Sequence, residues 1–149
     1  MLRAGMDTVK AKSRWAGFLA AVGALLVLTG CYWSRYSELM ETHLVLLDQY
    51  GSKLDFLART ERGVPMEEWG EFVYPLDRAS DFARIAARRY PDRESLRQFR
   101  IVLGQYGALV EDPMFLSRPG GLSLLETRRE ALAEAIAVTR AELRREAEG

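Results

Sequence analysis

The sequence predicts an all-α chain: an up-down bundle of about four helices, the second broken at Pro75, preceded by an N-terminal hydrophobic helix. Three observations carry that prediction. Apolar residues recur at alternating spacings of three and four through most of the chain. Gly and Pro punctuate these stretches at short intervals, and short connections between amphipathic helices imply antiparallel neighbours. No run of alternating β-branched residues lies between turn signals, so no strand competes.

The first 30 residues stand apart. Residues 1–14 hold Arg3, Lys10, Lys12 and Arg14 against Asp7, and residues 15–30 hold no charge. This is the basic, then apolar, order of an export signal. It is followed at once by Cys31, the only cysteine. The tetrapeptide Leu28-Thr29-Gly30-Cys31 resembles the lipobox of bacterial lipoprotein signal peptides. The resemblance covers the N-terminal fifth of the chain. It implies that the Cys31 thiol takes a diacylglyceryl group, that cleavage falls between Gly30 and Cys31, and that the new amine can be acylated in turn. Two or more acyl chains anchor stably, where one is marginal. A second reading stays open, an uncleaved membrane anchor. Trp15 to Trp33 is a charge-free run of 19 residues, roughly 28 Å as a helix and close to a bilayer core. Both readings place the basic start in the cytoplasm and the remainder outside. The expected divisions are residues 1–30 as signal peptide or anchor, 31–36 as lipidated tether and 37–149 as the bundle.

Helix by helix, the first stretch runs from about Ser34 to Arg62, with Met40, His43, Leu47, Tyr50, Leu54 and Leu57 as its seam. Gly63 suits a C-terminal left-handed position, and Val64-Pro65 ends the run. Next, Glu67, Glu68, Trp69, Phe72 and Val73 predict a short turn of helix. A new helix begins near Pro75, which removes a backbone donor, and continues to about Tyr90 with Leu76, Ala79, Phe82, Ala83, Ala86 and Tyr90 inward. The third, Asp92 to Glu111, has Asp92 as N-cap and Leu96, Phe99, Leu103, Tyr106 and Val110 inward. Gly104 and Gly107 inside it suggest close approach of a neighbour or a kink. Met114, Phe115 and Leu116 are expected to tuck under the bundle. The fourth helix opens with a capping box, Ser123 to Glu126, and presents Leu125, Leu132, Ile136 and Leu143. Its charged end, Arg140 to Gly149, is expected to fray.

Composition narrows function by exclusion. From Cys31 onward 17 basic residues face 20 acidic ones, which offers no general attraction to nucleic acid. The doublets Arg88-Arg89, Arg128-Arg129 and Arg144-Arg145 read as solvated helix faces. One histidine and one cysteine provide neither a disulfide nor a metal cluster, and no cofactor is implied. His43 lies on the first seam and is expected to be a structural core-edge residue. Glu67-Glu68 and Glu111-Asp112 sit at helix ends and read as helix-end residues rather than as an acid-base pair. Arg118-Pro119-Gly120-Gly121 has a mild anion-site shape but lacks the Lys-Ser/Thr of a phosphate loop.

No enzyme is expected; the predicted role is a lipid-anchored, non-catalytic interaction or scaffold module on an envelope complex. Tyr32, Trp33 and Tyr36 would sit at the membrane interface. Trp69, Phe72 and Tyr74 form either a partner surface or packing against the bundle end. In outline the chain is similar to small helical lipoproteins that chaperone secretin subunits to the outer membrane. In enteric bacteria an Asp after the lipidated cysteine retains a lipoprotein in the inner membrane; Tyr32 stands there instead, which favours the outer membrane. A carrier of a hydrophobic ligand, with Gly104 and Gly107 making room, is the alternative from another class.

Overall fold

Amphipathic segments that cannot bury their apolar stripes alone must do so against one another, and in the computed structural model they do. The structure describes residues 35–60 and 63–148. The chain divides after Ser37 into two units, and the account below concerns the second, Glu38–Gly149. Among the described residues there are four α-helices and no strand: α1 (residues 35–58), α2 (Trp69–Arg89), α3 (Glu94–Val110) and α4 (Gly121–Glu148). Two 3-10 turns, Met66–Glu68 and Pro113–Ser117, join α1 to α2 and α3 to α4.

Contacts between named residues establish the arrangement. Lys53 reaches Glu71 and His43 stacks on Phe82, so α1 and α2 run antiparallel. Trp69 meets Val110 and Phe82 meets Phe99, which makes α2 and α3 antiparallel. Ser95 meets Glu146 near one end of α3 and Ala108 meets Arg128 near the other, so α4 returns along α3. Glu41 to Arg140 and Asp48 to Arg129 then join α4 to α1 and close a four-helix ring. The shared core is dense: Met40, Leu44, Leu47, Leu54, Phe72, Phe99, Tyr106, Leu109, Leu125 and Leu132 have no exposed surface.

Several expectations need correction. The second helix is not broken at Pro75. α2 is continuous from Trp69 to Arg89, with Pro75 buried inside it. A proline deprives the preceding turn of one hydrogen bond and crowds its carbonyls. In that turn, the buried Tyr106 hydroxyl donates to the Phe72 carbonyl at 2.8 Å. The carbonyl that Pro75 leaves without its helical donor is the neighbouring one, that of Glu71. The α1 seam also lies slightly to one side of the expected one. Leu44 and Gly51 are buried, while His43, Tyr50 and Leu57 are half-buried on its flank. In α3, Val102 is buried and Leu103 only half-buried.

The ends of α3 are closed by side chains from other helices. Asp92 is not its N-cap; Arg93 occupies that position and makes no side-chain capping bond. Instead Glu146, from α4, accepts from the Ser95 amide at 3.1 Å and from the Ser95 hydroxyl at 2.7 Å. At the other end the Trp69 indole donates to the Val110 carbonyl at 3.0 Å, and the Arg128 guanidinium donates to the Ala108 carbonyl. The donors and acceptors that a helix leaves unpaired at its termini are satisfied here by tertiary contacts. The same contacts keep α4 helical to Glu148, where fraying was expected.

α4 also starts two residues earlier than the capping-box reading, so Ser123 lies within its first turn. Gly121 is buried there because a Cβ would collide with the Phe115 carbonyl and lie 2.9 Å from that of Leu116. Gly104 is exposed with open space around it, and Gly107 has only the Leu76 side chain at an ordinary 3.8 Å. Neither glycine marks a close approach.

Candidate functional site

The lipobox, Leu28 to Cys31, and the aromatic pair Tyr32 and Trp33 lie outside the described residues. Tyr36 is described and is 4% exposed. No helix among the described residues is long and apolar enough to cross a membrane.

Around Pro75 the structure separates the three aromatics expected together. Trp69 and Phe72 are buried, their rings 6.0 Å apart, and Tyr50 meets Phe72 edge-on at 6.2 Å. Of the two readings offered for this group, packing into the bundle end describes Trp69 and Phe72. Tyr74 alone remains on the surface, with the Arg78 guanidinium 6.0 Å from its ring centre.

Other apolar side chains are exposed at that same end of the bundle, among them Met114, which was expected to tuck under it; only Phe115 of that loop is buried. Phe56 on α1 is 69% exposed, Met66 in the first 3-10 turn 59%, Tyr74 60% and Met114 in the second 3-10 turn 54%. The sequence held one signal for them: Phe56 lies off the heptad seam, between Leu54 and Leu57. Around them stand carboxylates, Glu67, Glu68 and Glu111. Cations stand there too, Arg59, Arg78 and Arg118, so the bundle end where α1 stops and α2 begins is apolar with charges of both signs.

His43 sits on the α1–α2 side, its ring centre 5.1 Å from that of Phe82 and 6.4 Å from that of Phe99. Burial lowers its pKa below the ordinary value, and the nearby Arg78 charge lowers it further. A neutral imidazole packed among phenyl rings has a structural role, as its place on the seam suggested. Between α1 and α4, Arg129 donates to Ser52 at 2.9 Å and to Asp48 at 3.3 Å, and Arg140 donates to Glu41 at 2.8 Å. These pairs join two helices and converge on no cleft.

The remaining chemistry-bearing groups are engaged in the fold. Asp112 accepts from the Met114 amide at 2.9 Å and from Arg118 at 2.8 Å, which caps the second 3-10 turn. The Gly121 amide donates to the Arg118 carbonyl at 2.9 Å, and carbonyl oxygens of Phe115 and Leu116 crowd that helix start. An anion would meet acceptors there, not donors. Among the described residues no group of three His, Cys, Asp or Glu side chains gathers as a metal ion would require.

Compared with protein-family models, curated proteins and solved structures, the chain matches none.

Proposed function

We propose that the chain is a lipid-anchored, non-catalytic interaction module of the bacterial cell envelope, tethered through Cys31 and docking a protein partner with its far end. The observation that carries the docking half is the set of exposed apolar side chains at that end: Phe56, Met66, Tyr74 and Met114. Single exposed apolar residues are ordinary on a soluble protein, whereas several at one end of a bundle suit a partner surface. The anchoring half rests on the lipobox-like residues Leu28 to Cys31. Under this reading the module faces the periplasm or exterior, and Tyr32 favours the outer membrane. The carrier alternative loses its sequence support, because Gly104 faces solvent and Gly107 is in ordinary contact with Leu76.

Two experiments test the halves separately. Mass spectrometry of the native N-terminus is expected to find acylated Cys31; an intact, unmodified Met1 start favours the uncleaved membrane anchor instead. In-cell photo-crosslinking from positions 66 and 74 is expected to yield one discrete adduct that a probe at Val138 does not yield. Equal, diffuse labelling from all three positions refutes docking through this end.

A further inference from the structure

At the opposite end of the bundle, the structure assembles a basic groove that the sequence shows only as scattered arginines. Residues 81–100 hold six arginines against three carboxylates, in a chain whose total charge is zero. The contact of Phe82 with Phe99 sets the register between α2 and α3. Two residues beyond Phe82 is Arg84, and two before Phe99 is Arg97, so in antiparallel neighbours these lie at one level. Arg88 and Arg93 are level one turn further on. Helical spacing puts Arg93, Arg97 and Arg100 on one stripe of α3, and Arg84 and Arg88 on one stripe of α2. The two stripes border the same outer groove, which also holds the small residues Ser80, Ala87 and Gly104 and the exposed Asp77, level with Gly104 in this register. Arg84, Arg88, Arg97 and Arg100 are all exposed. Asp81 pairs with Arg84 at 3.0 Å and Glu94 with Arg97 at 2.5 Å; Arg84, Arg88, Arg93, Arg97 and Arg100 against Asp77, Asp81, Asp92 and Glu94 leave the groove with a net charge of +1. Two exposed isoleucines, Ile85 (61%) and Ile101 (49%), flank the stripes on their outer sides.

We infer that this groove is a docking surface for anionic phospholipid headgroups, with Ile85 and Ile101 entering the interface beside them. Arginine matches phosphate oxygens two at a time, and apolar side chains among basic ones are the chemistry of a surface lying on an acidic membrane. Position agrees. α1 runs antiparallel to α2, so Glu38 lies at the end where α2 finishes and the groove opens. Cys31 is seven residues earlier, a reach of at most about 25 Å. The inference rests on the proposed anchoring for that proximity. The tether favours the lipid over a nucleic acid, because it holds the groove near a bilayer whatever the net charge of the unit, whereas the acidic unit as a whole draws in no free polyanion at long range.

The test uses the full chain reconstituted into vesicles of phosphatidylcholine alone, or of phosphatidylcholine with phosphatidylglycerol. Arginines are modified with phenylglyoxal and read by mass spectrometry. Flotation with the neutral vesicles tests the anchor by itself; a chain that stays unbound there refutes the anchoring. For the floated chain, modification of Arg88 and Arg100 is expected to fall several-fold in the anionic vesicles and to recover in high salt. Arg59 and Arg118, at the far end, are expected to stay unchanged. The variant R88E/R100E, both sites being exposed, is expected to fold, to float, and to lose the protection of Arg84 and Arg97. Equal modification in both vesicles overturns the groove proposal while leaving the anchor intact. Stronger protection by a short DNA duplex than by the anionic vesicles overturns the assignment to lipid.

Discussion

Replacing Glu146 with Ala removes the acceptor that closes α3 from the last turn of α4. The Ser95 amide and hydroxyl would both lose this carboxylate as acceptor, and Ser95 has no exposed surface. A buried donor left unpaired costs about 1–3 kcal/mol, and loss of a helix cap typically about 1 kcal/mol. The carboxylate also lies at the positive end of the α3 dipole, which adds about 0.3–1 kcal/mol. These effects overlap, and water reaches the half-buried Glu146 side chain, so the expected loss is about 2 kcal/mol. For a unit of this size that corresponds to a Tm lowered by roughly 6–10 °C. The assay is thermal and urea unfolding of the full chain in mild detergent, followed by circular dichroism. Glu146→Gln keeps an acceptor without the charge and is expected to lose about half as much. The double mutant with Ser95→Ala is expected to fall short of the summed single losses by about 1 kcal/mol, because the partners share one interaction. A Glu146→Ala shift below about 0.5 kcal/mol, within the range of ordinary surface substitutions, would show that the terminal turns fray and that the cap carries nothing.

Three further outcomes are expected. Tyr106→Phe removes the hydroxyl that donates to the Phe72 carbonyl and is expected to cost about 1 kcal/mol; burial raises the Tyr106 pKa and the nearby Tyr50 adds to it, so the parent should lose stability as pH rises above about 10, and the Phe variant should lose less, measured as urea midpoints in alkali. His43 has a lowered pKa in the fold, so its contribution is present above the unfolded value of about 6.5 and lost as pH falls through the folded one; His43→Gln should flatten the fall in urea midpoint between neutral and mildly acid pH, and an unchanged slope would refute the reasoning. Gly104→Ala, with open space around the new methyl, is expected to stabilise by about 0.5–1 kcal/mol, whereas Gly121→Ala meets backbone oxygens and should destabilise by about 1–3 kcal/mol; reversed signs in paired unfolding curves would contradict the packing described.

What could be read in advance was what depends on period. The spacing of apolar residues yields four helices, their approximate limits and most of their inward faces. It does not choose between adjacent apolar candidates, which is why Leu44 rather than His43 faces the centre of the core. Rules about single residues misled where a distant group intervenes. Pro75 reads as a break, but it is buried inside α2, where packing from the rest of the bundle, such as Tyr106 on the Phe72 carbonyl 34 residues away, outweighs its local effect. Asp92 reads as a cap because Glu146 is 51 residues from Ser95. Ser123 reads as a cap because the packing of Gly121 beneath Phe115 leaves no local signature. The apolar end and the basic groove are likewise products of register: Phe56, Met66 and Met114, or Arg84 and Arg97, share a region only once the helices are placed side by side. The lipid attachment expected at Cys31 lies outside the described residues and stands on its tetrapeptide.

The ring of helices closes through Glu41 and Arg140, partners separated by 99 residues. The α2–α3 hairpin, by contrast, is joined by contacts within 41 residues. Such local pairing forms quickly, while the long loop delays the closing seam. During synthesis the hairpin has both its strands of contact available long before α4 leaves the ribosome. The seam between α1 and α4 is therefore the last part of the ring to form, once Arg140 has been made.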